Sequence, residues 1–200
     1  MGNILDLYAR AAATLYGIIS LDDFFKILDA YYGTGALSRD RIMAYFWSSP
    51  NDNPIYYIQD ELIVHASIAP DEVTQTLSDI QHPVGTKAPK QHRILPEKEF
   101  LLYANPLYYE ESDGTRQMEK YLTDDLGLSQ EDAQEIVAEM VFVCRTGSCP
   151  TLIMDALSRR ELPFDKECEL DLIVIGAEME PEIRQWERRG ATGREMAGRY

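Results

Sequence analysis

The feature that most constrains this chain is an order of elements: three amphipathic segments, then the stretch "IYYIQDELIVH" at residues 55–65. In residues 3–17, Leu5, Tyr8, Ala12 and Leu15 fall three and four apart on one helical face, and Gly17 ends the run. Ser20 is a good N-cap for a second helix, with Asp22 and Asp23 where the helix dipole favours acid. That helix carries an apolar stripe of Leu21, Phe24, Phe25, Leu28 and Tyr32. "GTG" at 33–35 breaks it. Ser38 opens a third helix with Ile42, Tyr45 and Phe46 turned inward, and "SSPNDNP" at 48–54 stops it. Residues 55–65 then alternate β-branched and aromatic side chains around a turn at Gln59-Asp60-Glu61, which predicts a hairpin. Helix, helix, helix, hairpin is the order of a winged helix. The expected fold class is therefore mainly α, with a winged-helix-like N-terminal unit (three helices plus β-hairpin) followed by an α-helical domain.

The rest of the chain reads as helices. Residues 70–82 make a short one, with Val73, Leu77 and Ile80 on one face. "PVGTKAPKQHR" at 83–93 has two prolines, a glycine, three bases and no acid, which is linker chemistry. The expected division is 1–82 for the winged-helix-like domain, 83–93 for the linker and 94–200 for the α-helical domain. Within the last part, Pro96 starts one helix and 115–125 forms another. Ser129 caps a third, which runs to about Cys144, and a fourth spans 149–160. A long final helix is expected through "ECELDLIVIGAEMEPEIRQWERRG", bent at Gly176 or Pro181.

Charge narrows the function. The 200 residues carry a formal net charge of −15, which disfavours non-specific attachment to phosphate backbones or anionic lipid and favours basic partners. Residues 83–93 are net +3 and residues 181–200 net +2, while 94–180 are net −13. No apolar run approaches the ~18 residues of a membrane span, and the N-terminus lacks the pattern of a secretory signal. The three cysteines form no CxxC pair and no Cys/His zinc spacing, so reduced thiols in a cytoplasmic protein are expected; a Cys144–Cys149 pair across "CRTGSC" is the alternative.

No P-loop, Gly-rich dinucleotide loop, G-x-S-x-G or H-E-x-x-H occurs. No enzyme activity, cofactor or metal is expected. His65, His82 and His92 have no ligand spacing, and His82 and His92, flanking the linker, are expected to be solvated. A DNA-reading third helix would bring only Arg39 and Arg41, helped by Lys87, Lys90 and Arg93, while the tip of the wing is acidic. The tyrosine doublets offer a protein interface instead, through Tyr31, Tyr32, Tyr56, Tyr108 and Tyr109.

In "EIRQWERRGATGREM", residues 182–196, Trp186 is expected to plug against preceding helices, Arg184 and Arg188 to meet the acidic back half, and Gly190 to stop the helix. This segment resembles the "TRLWxxRGHTPxEL" stretch of uncharacterised Firmicutes-type bacterial proteins, where it precedes a cysteine-rich SEC-C metal-binding motif. Arg184, Trp186, Arg189, Gly190, Thr192, Glu195 and Met196 match it; Ala191 and Gly193 replace the usual His and Pro. The segments "YARAAATLYGIISLDDFFKIL", "YYIQDELIVH" and "LPEKEFLLYAN" are similar to the front and middle of such proteins. The resemblance implies a winged-helix-like front, a helical back and no catalytic motif. The cysteine-rich motif does not occur in these residues, so no zinc site carries over. The expected function is a protein-interaction module, hetero- or homo-oligomeric; the alternative is a DNA-binding regulator.

Overall fold

A computed structural model describes residues 2–48, 53–83, 89–147 and 166–198. The chain is mainly α and divides into two compact units, Met1–Pro106 and Leu107–Tyr200.

The first unit opens with α1 (Gly2–Tyr16), β1 (Ile18–Ser20), α2 (Leu21–Tyr32) and α3 (Arg39–Ser48), followed by β2 (Tyr56–Gln59) and β3 (Leu62–His65). The strands form one antiparallel sheet in the order β1-β3-β2. Helix–strand–helix–helix–hairpin, with the first strand added to the hairpin's second, is winged-helix topology. The strand β1 is absent from the sequence reading, which passed from Gly17 directly to the Ser20 cap. Three residues are too few to show a period of two. What makes them a strand is tertiary: Gly17 turns the chain at φ 72°, and Ile18, Ile19 and Ser20 then pair with Val64, Ile63 and Leu62. The turn of the hairpin is two residues, Asp60 and Glu61, both left-handed at φ 49° and 61°. That backbone matches the twist of a tight hairpin.

The core of this unit is the inner face of α1 and α2. Ser20 caps α2 by accepting from the Asp23 N–H at 3.1 Å, and Phe24 meets Phe46 of α3 edge-on at 5.9 Å. The short helix α4 (Val73–Gln81) buries Val73 and Ile80. The next segment corrects the expected division. Residues 94–106, with α5 (Glu97–Leu102), belong to the first unit. Leu95, Phe100 and Tyr103 are buried there. Tyr16 donates to the Arg93 carbonyl at 2.9 Å and Tyr31 to the Leu95 carbonyl at 2.9 Å. Of the expected linker, residues 84–88 lie outside the described residues. His92, expected in solvent, has a side chain only 11% exposed, edge-on to the Tyr16 ring at 4.8 Å.

The second unit packs α6 (Asp113–Lys120) and α7 (Gln130–Arg145) with α8 (Lys166–Met179); α6 continues into one π-helical turn, Tyr121–Asp125. Its core gathers Met118, Leu122, Ile136, Met140, Leu172 and Met179. Ser112 caps α6 with a capping box to Thr115, and Ser129 caps α7 by accepting from the Asp132 N–H at 3.1 Å. Gly114 sits where α6 touches α8: a Cβ there would lie 2.6 Å from the Met179 Cα. Backbone cannot yield as a flexible side chain does, so Gly114→Ala should cost about 1–3 kcal/mol, measured as a lowered urea midpoint of the second unit. The expected 149–160 helix and Cys149 lie outside the described residues. Cys144 is a buried free thiol, pushed up to about 12 by burial and by the nearby Glu180 charge.

The long last helix is shorter than expected. α8 stops at Met179, a 3-10 turn covers Glu180–Glu182, and Ile183 is extended. Pro181 cannot donate to a continuing helix. Residues 184–192 fold back on themselves, with a bridge between Arg184 and Thr192 and a left-handed pair, Arg189 at φ 49° and Gly190 at φ 77°. Gly190 therefore turns a loop and does not end a helix. Thr192 then caps α9 (Gly193–Ala197). Among the described residues, no helix is long and apolar enough to cross a membrane.

Candidate functional site

In a winged helix the third helix is the one that presents side chains outward to a partner, so α3 is the first place to look. Ile42 and Phe46 are buried and anchor it. Its outward residues are Arg39, Asp40, Arg41, Ala44, Trp47 and Ser48. Trp47 is 64% exposed. Its position is legible in the helical phase. Counting five residues on from Ile42 turns a helix by about 140°, away from the core face. A large aromatic in that position has no core to fill.

The bases expected to read DNA are differently placed. Arg39 is exposed, 3.6 Å from the exposed Asp22 and 4.9 Å over the Phe25 ring; a surface pair of this kind is weak and leaves the guanidinium open to solvent. Arg41 is exposed on α3, on the rim of a small cleft of about 150 Å³ lined by Leu5, Ala36, Leu37, Ser38 and Ile42. Lys90 and Arg93 are exposed on the segment before α5, and Lys87 lies outside the described residues. The wing offers Asp60 and Glu61, both exposed, where a phosphate-binding wing would carry cations.

The tyrosines expected at a protein interface are largely committed inside the chain. Tyr56 is buried and donates to Asp6 at 3.0 Å, so it belongs to the core and not to a surface. Tyr31 is occupied by the Leu95 carbonyl and by Phe100, ring to ring at 5.7 Å. Tyr32 is exposed, but its hydroxyl lies 2.7 Å from that of Tyr8, which in turn donates to Glu97. Tyr109 donates to Glu119 at 2.5 Å. The Tyr108 carbonyl accepts from the buried Arg145 at 3.2 Å. Burial, then the neighbouring carboxylate, raises the Tyr8, Tyr31, Tyr56 and Tyr109 phenols above their ordinary range. They remain protonated donors. The doublets arise because hydroxyl-bearing rings can fill a core edge and still satisfy a carbonyl or carboxylate.

The C-terminal residues Arg184, Trp186 and Arg188 make contacts within the second unit. Trp186 is 4% exposed and meets Phe142 edge-on at 6.1 Å, while its N–H on the main chain donates to the Arg145 carbonyl at 2.9 Å. Arg184 joins Glu110 at 2.8 Å and Glu195 at 2.9 Å. Arg188 lies 3.5 Å from Glu180.

His65 is buried and satisfied by Ser67 at 2.8 Å. Among the described residues, no group of three or more His, Cys, Asp or Glu side chains is arranged to hold a metal ion. Among the described residues, Trp47 on the outward face of α3 is the one exposed aromatic of this size; aliphatic side chains such as Leu107, Leu170 and Val174 are exposed as well. Compared with known protein families, curated proteins and solved structures, the chain matches none.

Proposed function

We propose that this chain is a non-enzymatic protein-interaction module, and that its winged-helix unit uses α3 to hold a basic segment of another protein. The observation that carries this reading is Trp47, 64% exposed on the outward face of α3. Tryptophan is the side chain most often found as a binding anchor, because it buries a large rigid surface at little entropic cost. Charge complementarity selects the partner. A molecule of net −15 attracts cations, and a Lys or Arg laid on the Trp47 face would add a cation–π contact. The cleft beside Arg41, about 150 Å³, is large enough for one apolar side chain of the same partner.

The alternative is a DNA-binding regulator, favoured by the winged-helix order and sheet topology. Against it stands the acidic turn of Asp60 and Glu61, both exposed. Fluorescence anisotropy with mixed double-stranded DNA, at low and at physiological salt, separates the two. The protein-binding reading expects no DNA binding at either salt. It also expects a basic partner captured by the immobilised protein to be held at least tenfold more weakly by Trp47→Ala. That variant should change folding stability by less than about 0.5 kcal/mol, because the side chain supports nothing in the core. DNA binding that weakens steeply with salt and disappears in Arg41→Ala would establish the regulator instead.

A further inference from the structure

A second surface of the first unit has a composition that the α3 reading does not use. Asp23, Lys26 and Ile27 of α2, with Lys90, Gln91, His92 and Ile94 of the segment before α5, line a groove of about 280 Å³. Its donors and acceptors do not balance. The one carboxylate is already committed on both oxygens: Asp23 Oδ1 takes Lys26 Nζ at 2.6 Å, and Oδ2 faces His92 Nδ1 at 3.6 Å. Burial would raise this carboxyl, but Lys26, His92 and the Ser20 hydroxyl together hold it below the usual range. It stays an anion paired with Lys26. Lys26 retains two further N–H donors. Lys90 and Gln91 are exposed, and among the described residues neither is paired with a carboxylate. The groove thus presents two ammonium groups and the Gln91 amide beside the apolar Ile27 and Ile94, against the single carboxylate of Asp23.

We propose that this groove binds a small molecule carrying an oxyanion, phosphate or carboxylate, held by Lys26, Lys90 and Gln91 with its apolar part against Ile27 and Ile94. Asp23 is the positioning residue: it holds Lys26 at the groove edge and lies 3.6 Å from His92, which meets the Tyr16 ring edge-on. The groove takes one of the three bases of the acid-free run 83–93, Lys90, in a chain of net −15. Local positive charge on an acidic molecule steers a small anion to one place. This inference does not depend on the role given to α3.

The test is an amide-correlation NMR titration of the full chain with inorganic phosphate, run beside acetate and beside sodium chloride at matched ionic strength. Saturable shifts are expected at Lys26, Lys90 and the Gln91 side-chain amide, with a dissociation constant in the millimolar range. Lys90→Gln should weaken binding roughly tenfold, and Lys26→Gln with Lys90→Gln should abolish it. The Lys90 ammonium is exposed, so Lys90→Gln should leave the unfolding midpoint unchanged and its lost binding cannot be lost folding; the double variant, which also gives up the exposed Lys26–Asp23 pair, should lower the midpoint only slightly, as the loss of a surface pair does. Acetate producing the same shifts would show that a carboxylate suffices; phosphate alone would select phosphate. The proposal is overturned if chloride reproduces the shifts, if nothing saturates up to about 20 mM phosphate, or if Lys90→Gln binds as the parent does. A mixed-sequence DNA duplex that shifts the same resonances at far lower concentration than phosphate would also overturn it, by making the basic segment a nucleic-acid contact.

Discussion

Phe100→Ala is expected to destabilise the first unit by about 3–5 kcal/mol, the usual cost of emptying a fully buried aromatic site. Phe100 is 0% exposed and lies among three tyrosine rings, at 6.0 Å from Tyr8, 6.3 Å from Tyr16 and 5.7 Å from Tyr31. It is the plug that holds residues 89–103 on α1 and α2. The hydrogen bonds along this segment, from Tyr16 to the Arg93 carbonyl and from Tyr31 to the Leu95 carbonyl, are worth only about 1 kcal/mol each in net terms. They position the segment, while the ring and the buried Leu95 keep it there. Two measurements follow. Thermal unfolding by circular dichroism should show the loss, and trypsin should cut after Lys90 and Arg93 much faster in the variant. Phe100→Leu, which keeps most of the apolar volume, should lose less than half as much. The experiment also tests the division of the chain. Were residues 94–106 part of the second unit, the transition seen through Trp186 would move instead.

The elements legible in the sequence are those whose signal is local. Ser20, Ser38 and Ser129 marked helix starts because a hydroxyl at the N-cap satisfies a backbone N–H three residues on. The hairpin at 55–65 was legible from its alternation, although its turn uses left-handed Asp60 and Glu61 without the glycine that usually announces such a turn. What was not legible depended on partners distant in sequence. Ile18–Ser20 becomes a strand through Val64 and its neighbours. Pro96 to Tyr103 looked like the start of a new domain because helix signals do not say which core a helix will join. The tyrosine doublets looked like surface anchors because an aromatic hydroxyl reads alike in a core edge and in an interface. Trp47 was the reverse case: its helical phase pointed outward, but attention to pairs drew the eye from a single ring.

The second large effect is expected at Arg184. Its side chain is 11% exposed and holds three acceptors at once: Glu110 at 2.8 Å, Glu195 at 2.9 Å and the Gly190 carbonyl at 3.1 Å. Glu195 simultaneously accepts from the Thr192 N–H at 3.1 Å and so completes the capping box of α9. One guanidinium therefore closes the 184–192 loop, fixes the helix after it and ties both to the segment before α6. Arg184→Leu leaves two carboxylates and a carbonyl without their donor. Breaking a buried ion pair on one side costs about 3–5 kcal/mol; Glu110 and Glu195 are 30% and 27% exposed, so water recovers part of it and about 2–4 kcal/mol is expected. Arg184→Lys should fall between the parent and Leu, since an ammonium keeps the charge but cannot span three acceptors with a planar fork. Trp186 is the built-in probe, two residues away and 4% exposed. Its emission should shift to the red at lower urea in Arg184→Leu, and it should do so nearly equally at low and high salt, because a pair this well covered is little screened. A full rescue of the Leu variant by high salt would mean that Arg184 acts only as a surface charge, and the loop would then owe its shape to Trp186 and Gly190 alone.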